Sequence, residues 1–544
     1  MKKTLEYDSL GNNTAVKVIT GTNPEDDVSL AQRTFTNDRW HLPITETTGN
    51  GSTVSFAYDD FGRITSRTVD NDPDKVVSYQ YGKDGRLEKT ANTETGRTER
   101  IRYDLAGREM SRETKDANGN TVHAAYAAYD EAQNVSIHVE KLKSANGTLK
   151  SYKTRYVYDR DDRTAATLFG EDADATRTTL IYDGLGRVTN RKTYNGSCTI
   201  TESYTYAPGY TGYSANATTD LITGMSQAGM VQSYAYDDNG RIFSWICNNK
   251  KCFYEYDAIG QLIRVNDEKD IRGGTDGTTW TYEYDNGGNI LARKRYAYTE
   301  GTLPTNPDST DTWTYDAGWK DKLYTFNNSQ IVSDAIGNIL SDGTWSYTWQ
   351  GRKLTGMSNN SKSISFLYDE NGQRIRKAVT ENGNTVTTEY VVSGKSVTHV
   401  IKGTEDLHIF YANGQPSHCK YGNSMYTYVY SLQGDVLGLK DNTGAIVVTY
   451  MYDALGSIIS TGGTLAGTLG VINPFRYRGY VYDEETGLYY LQSRYYASSK
   501  CRFISGDSIL GQTGGLLQHN LFYYCRNESI NKIDKTGKLG QHNS

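Results

Sequence analysis

Apolar and polar residues alternate in short runs along most of this chain. Val54-Ser55-Phe56-Ala57-Tyr58 and Thr281-Tyr282-Glu283-Tyr284 carry the pattern, as do Arg63-Ile64-Thr65 and Arg241-Ile242-Phe243. A period of two in segments rich in β-branched and aromatic residues predicts strands. Between one run and the next stands Tyr-Asp-x-x-Gly-(Arg/Asn). It is seen in Tyr58-Asp59-Asp60-Phe61-Gly62-Arg63, Tyr103-Asp104-Leu105-Ala106-Gly107-Arg108, Tyr182-Asp183-Gly184-Leu185-Gly186-Arg187 and Tyr236-Asp237-Asp238-Asn239-Gly240-Arg241. The Asp accepts hydrogen bonds from amides two residues on, and the Gly takes a positive φ that other residues resist, so the motif spells a turn. Each copy therefore predicts a β-hairpin.

Variants stand at Tyr7-Asp8, Tyr158-Asp159, Tyr256-Asp257, Tyr284-Asp285, Tyr368-Asp369 and Tyr452-Asp453, with degenerate copies at Tyr81, Tyr129 and Ser333-Asp334. Tyrosines 58, 81, 103, 129, 158 and 182 are separated by steps of 23, 22, 26, 29 and 24 residues. A loose period with variable steps predicts an array of one supersecondary unit with adjustable loops. An isolated hairpin is marginal in water, so neighbours must pair to bury their aromatic face. Composition agrees: 45 Tyr replace much of the Leu, Ile and Val of an ordinary core, which suits a sheet with one wet side. The stretch from about 265 to 320, with Arg272-Gly273-Gly274-Thr275-Asp276-Gly277, reads as a long loop or a relaxed repeat.

The net charge of −6 and the scatter of Lys and Arg through the repeats argue against a nucleic-acid partner. No apolar run reaches membrane-spanning length, and Met1–Asp8 enters a repeat at once, without the apolar core of a signal peptide. Of the six cysteines only Cys247 and Cys252 are near neighbours, at a spacing unlike common zinc pairs. Separate thiols are expected, with no metal and no cofactor. The eight histidines are scattered, and the adjacent His418-Cys419 carries no weight as a catalytic pair.

The C-terminal text differs in kind. It runs Asn473-Pro474-Phe475-Arg476-Tyr477-Arg478-Gly479-Tyr480, continues through Gly487-Leu488-Tyr489-Tyr490 and Arg494-Tyr495-Tyr496, and reaches Arg502-Phe503-Ile504-Ser505-Gly506-Asp507. This closely resembles the core-associated domain of the Rhs (YD-repeat) family, and the upstream motifs look like that family's YD repeats. Members include Rhs proteins, the C components of Tc toxins and the shell of teneurins. The resemblance implies an all-β fold: repeated hairpins in a spiralling YD-repeat shell, or cocoon, with a C-terminal plug. It divides the chain into a shell over 1–472, a core-associated domain over 473–537 and a residual tip over 538–544. The tip is too short for a toxin domain, so a shell without cargo of its own is expected.

The same family cuts itself with an aspartyl-protease-like dyad and a nearby Arg, just after an Asp-Pro-x-Gly-Leu signature. Carried over by motif, the Arg is Arg494, the first Asp is Asp507 and the second is Asp534 in Ile533-Asp534-Lys535-Thr536-Gly537. Two close carboxylates that share a proton split into an acid and a base. Departures stand beside these matches: Lys535 replaces the Pro, Lys538 replaces the Leu before the cut with Leu539 displaced by one, and Ala497 replaces an Asp. Two readings stay open for Asp507 and Asp534, turn carboxylates or a cleaving pair.

Three functions compete. The first is a structural encapsulation shell of a bacterial secreted or cell-surface polymorphic toxin system, active in bacterial competition, whose partners are toxin cargo or neighbouring shell segments. The second is a single-turnover aspartyl peptidase acting on its own C-terminus. The third is an adhesion module whose exposed tyrosines bind cell-surface glycans. Structural packing is the favoured use of those tyrosines, because they recur where the hairpin is defined. The Arg after each Gly is expected to pair with a repeat Asp across a turn or strand.

Overall fold

A computed structural model describes residues 2–20, 28–170, 176–209, 217–227, 229–268, 277–509 and 519–538. Strands follow one another as an antiparallel meander, in a sheet of 27 strands from Lys2 to Gln330 and a second of 14 from Val332 to Gly462. A sheet of four short strands, Val481–Asp483, Leu488–Tyr490, Tyr495–Ala497 and Arg502–Phe503, follows. The passage from Asp267 to Ser309 is a relaxed repeat, with strands Thr278–Tyr284 and Ile290–Ala297 and a loop over 298–308. Residues 269–276, which hold most of the glycine-rich run, lie outside the described residues, as do 539–544 of the tip.

The motif explains its own geometry. In Asp59–Arg63 the Gly62 amide donates to the Asp59 carbonyl at 2.9 Å, the Asp59 amide donates to the Arg63 carbonyl at 3.0 Å, and Gly62 sits at φ 75°. This is a tight turn closed by a residue in the left-handed region, and the strand register shifts by one between Ala57 and Tyr58. Gln133 and Asp162 occupy the Gly position in degenerate copies and still adopt φ 72° and 58°. The Asp carboxylate accepts the amides at positions two and four on, Phe61 and Arg63, each at 3.0 Å, and takes the Arg63 Nε–H on its other oxygen at 2.8 Å. The repeat Arg thus pairs with the Asp of its own turn, as in Arg108–Asp104, Arg163–Asp159, Arg187–Asp183 and Arg241–Asp237.

Each repeat also grips the next. The Tyr81 hydroxyl donates to the Ile64 carbonyl, Tyr103 to Leu87, Tyr182 to Thr164 and Tyr256 to Ile242, at 2.6 to 3.0 Å. In every case the acceptor is the residue that follows the Gly-Arg (or equivalent) of the previous repeat. The guanidinium before it lies over the same tyrosine ring, as for Arg63 over Tyr81 and Arg187 over Tyr206 at 4.5 and 4.1 Å. Ring and hydroxyl are therefore both engaged in the array.

The array winds into a coil. Asn50 bonds Asp334, Arg97 bonds Glu389, Lys150 bonds Asp406, Asn195 bonds the Met425 carbonyl and Ser197 bonds that of Asn442. Both numbers rise together, so the second pass runs in the same sense as the first; a chain folded back on itself would give falling partners. Partners across the passes lie 203 to 320 residues apart.

A buried seam joins the passes. Leu142, Tyr152 and Phe169 from the first meet Phe410 and Ala412 from the second. Histidines scattered in sequence converge here: His399 and His408 face each other across adjacent strands, and His418 stands opposite Phe410. All three are buried. His408 stacks on Tyr152 at 3.6 Å, and His418 Nε2 lies 3.0 Å from the Tyr194 carbonyl. His123 meets Glu140 at 3.2 Å.

Candidate active site at the C-terminal plug

The segment after Asn473 is buried by tyrosine. Tyr477, Tyr489, Tyr496 and Tyr524 are almost fully enclosed; the Tyr524 hydroxyl pairs with that of Tyr480 at 2.9 Å, and the other three reach carbonyls in the turn rim of the later repeats. Tyr477, Tyr489 and Tyr496 donate to the carbonyls of Ala454, Gly456 and Leu455, at 3.2, 2.7 and 2.8 Å. Asn527 bonds Gln261, Asn520 bonds Asn289, Arg502 bonds the Asp321 carbonyl, and the Arg478 amide bonds Asp435. The plug therefore sits in a ring of Tyr-Asp turns. A buried ion cluster anchors it: Arg374 meets Asp483 at 2.6 Å, and Lys377 meets Asp483 at 3.0 Å and Glu485 at 2.6 Å. Such a cluster is tolerable only because every charge is paired. The role of Arg374, Lys377 and Asp483 was not legible in the sequence, since their partners lie about a hundred residues apart.

Within the plug the three motif residues come together. Arg494 immediately precedes the strand Tyr495–Ala497, after a tight bend in which Gln492 has φ 62°. Its Nη2 lies 2.9 Å from Asp507 Oδ2 and 3.5 Å from Asp534 Oδ2. Nη1 donates to the Leu521 carbonyl at 2.9 Å, Nε donates to the Gly537 carbonyl, and the guanidinium lies 3.6 Å over the Phe503 ring. Each Asp spends its other oxygen on a local turn. Asp507 Oδ1 accepts the Ile509 amide at 2.8 Å; Asp534 Oδ1 accepts the amides of Thr536, Gly537 and Lys538 at 3.2, 2.7 and 3.2 Å. The two readings of these carboxylates are thus both geometrically met, one oxygen of each to a turn and one to Arg494.

Burial acts on the charges of this site. Burial raises the Asp534 carboxyl above its ordinary value; Arg494 and the turn amides oppose the shift, and the Asp507 charge adds to it. Arg494 itself is pushed down by burial, with both aspartates opposing. Two neighbours carry no sequence signal. Arg352 donates to the Gly506 carbonyl at 2.8 Å and to Gln32 of the first pass at 2.5 Å, and Ser493 Oγ, with one proton to give, lies 2.6 Å from the Thr536 carbonyl oxygen and 2.9 Å from that of Gly537. Segment Ile533–Lys538 runs between two cavities. One of about 550 Å³ includes Thr536 and Lys538 in its wall, and one of about 530 Å³ includes Ile533 and Lys535. The six cysteines are free thiols. Among the described residues no cluster of His, Cys, Asp and Glu is arranged to hold a metal, and no helix is long and apolar enough to cross a membrane.

Comparison with known proteins agrees with this architecture. The model of the teneurin YD-shell matches residues 232–529, and that of the RHS repeat matches 38–74. The tRNA nuclease WapA of Bacillus subtilis (strain 168) is 33% identical over 292 residues, covering 52% of this chain and 12% of that protein. Double-stranded DNA deaminase toxin A of Burkholderia cenocepacia (strain H111) is 24% identical over 549 residues, covering 92% of this chain and 35% of that protein. This chain therefore spans about an eighth to a third of the length of these relatives. In the crystal structure of TcdB2-TccC3-Cdc42, 98% of this chain superposes on 31% of that one, with TM-score 0.54 and 16% identity, a likeness of fold.

Proposed function

Because the chain belongs to the teneurin YD-shell family, we propose that it is an encapsulation shell of a bacterial secreted or cell-surface polymorphic toxin system of the Rhs type, with its own C-terminal segment held inside. The observation that carries this reading is the course of Ile533–Lys538 between two cavities, within a plug ringed by repeat turns. Cavities of this size suit an extended segment rather than a folded domain. Lys535 and Lys538 supply a test, because both are exposed to water and so is Lys83 on an outer turn. Under limited trypsin, cutting at Lys83 is expected well before cutting at Lys535 or Lys538. Equal rates at the three lysines would remove the encapsulation reading.

A second reading, self-cleavage by Asp507 and Asp534 with Arg494, is favoured by the single guanidinium that bridges both carboxylates. Dyads of this kind work when one carboxyl keeps a proton while the other is charged, and burial shifts Asp534 in the direction of its protonated form. Intact mass tests it: C-terminal residues are lost from the wild type and retained in Asp507→Asn.

A further inference from the structure

We propose that the cavity of about 550 Å³ beside Thr536 and Lys538 is a binding site for a multivalent oxyanion of the diphosphate class, held between Arg67 of the first pass and Lys353 of the second. The site lies outside the Asp507–Asp534 pair. It needs neither encapsulation nor cleavage.

Uncompensated positive charge lines this space. Arg67, in the strand Ile64–Val69, and Lys353, which opens the strand Lys353–Ser358, stand in its wall, as do the exposed Lys395 and Lys538. Among the described residues none of the four has a carboxylate within ion-pair distance. Glu46, the carboxylate of the same wall, is turned to Arg33 at 3.4 Å. Arg352 is met by Gln32 and by the Ile336 and Gly506 carbonyls, with Asp334 and Asp507 near it, so its charge is already answered.

Two observations mark Arg67 and Lys353 as lacking a counter-ion. Arg67 Nε is sealed from water and has no hydrogen-bond partner, a state that costs free energy until an acceptor arrives. Lys353 has the Tyr368 ring 5.1 Å from its ammonium and no ion pair; burial and then Arg67 push that ammonium down, with Glu94 and Asp369 opposing. Like charges therefore act on each other across the two passes. An oxyanion between them answers both. The guanidinium fork meets two phosphate oxygens while the ammonium acts as a point charge on another. A cavity of this size, with further lysines in its wall, suits an anion with more than one charged centre. Bound there, it ties the first pass, the second pass and the plug together.

Calorimetric titration of the full chain with sodium pyrophosphate, against sodium chloride at matched ionic strength, tests the site. Saturable binding is expected, weakened by added salt and accompanied by a higher unfolding midpoint. Arg67→Gln and Lys353→Met should each weaken it by roughly tenfold or more. Lys353→Met keeps the apolar stem and removes a repulsion, so without pyrophosphate it should melt no lower than the wild type. Lys395→Gln and Lys538→Gln, at exposed positions, should each weaken binding by about two- to fivefold, and Lys83→Gln on an outer turn should leave it unchanged. ADP separates the sources: tighter binding than pyrophosphate assigns a nucleotide, and equal or weaker binding assigns the free anion. Absence of saturable binding overturns the site, as does a midpoint shift that chloride reproduces or full affinity in Arg67→Gln or Lys353→Met. Should those two variants fail to fold, the exposed lysines decide, and full affinity in the Lys395→Gln, Lys538→Gln double variant overturns the site equally.

Discussion

Phe61 and Ile336 hold the same place in the turn motif, yet Phe61 is 83% exposed and Ile336 is 0% exposed. Leu185 and Leu455 repeat the contrast, at 69% and 7%. The turns themselves are alike: Gly62 and Gly456 both have positive φ, and Asp59 and Asp453 both accept the amides two and four residues on. What differs is cover. The plug lays Tyr477 against Gly456 and Phe522 against Gly337, while Phe61 meets only the guanidinium of its own turn's Arg63 at 5.1 Å and stays 83% exposed. A local motif can therefore write a hairpin identically into two environments, and later packing decides which copies become core.

Acid should separate the two regions most strongly. Burial lowers His399 to about 4 and His408 and His418 to about 3 from an ordinary 6.5; Asp406 and Glu140 oppose the shift at His399, Glu140 at His408 and the Tyr194 carbonyl at His418. Their values in the fold lie below those of the opened chain, so the opened chain binds protons first. The seam keeps its full stability above pH 6.5 and loses it as pH falls towards 4, by about 1.4 kcal/mol per histidine for each pH unit. Hydrogen exchange at pH 7.5 and 5, corrected for chemical rate, should show protection lost in 396–421 and kept in the first-pass turn at 59–63. Uniform loss, or none, contradicts this.

Asp483→Asn should come next. It leaves Arg374 and Lys377 buried without their shared partner, at a cost of about 3–5 kcal/mol. Asp59→Asn, on the open rim, keeps an oxygen for the Phe61 and Arg63 amides, and the guanidinium unfolding midpoint should barely move. Equal shifts in the two variants would abolish the distinction between plug and rim.

The smallest effect sharpens the glycine comparison. Gly62→Ala pays only for the left-handed backbone, about 1–2 kcal/mol, since its Cβ meets nothing nearer than Leu42 at 3.6 Å. Gly456→Ala adds a Cβ 2.5 Å from the Tyr477 ring and should cost about 1–3 kcal/mol more. Thermal melts of the pair test whether the plug rests on that turn as closely as the structure places it.

Much of this was legible in the residues. Alternation and Tyr-Asp-x-x-Gly predicted hairpins, and the structure has them from the first repeats to Gly462. Arg494, Asp507 and Asp534 were named from the C-terminal motif and lie within one guanidinium's reach. Ser493 and Arg352 were not, because a Ser beside an Arg and an Arg after a turn glycine occur throughout a chain of this composition. The histidine seam was unreadable for a related reason: His399 and His408 are strand neighbours, but Tyr152 and Glu140 reach them only through a full turn of the coil.

By itself the sequence determined the unit: turn, strand period, tyrosine link and the direction of growth, all set by φ preferences and hydrogen bonds within some thirty residues. Only the tertiary structure decided which rim is covered, which histidines lose water and which peptide bond meets Arg494. Those outcomes depend on where one turn of the coil, bringing together residues 203 to 320 apart, returns the chain beside itself. Loop lengths summed over ten or more repeats set that return, and no single motif encodes it.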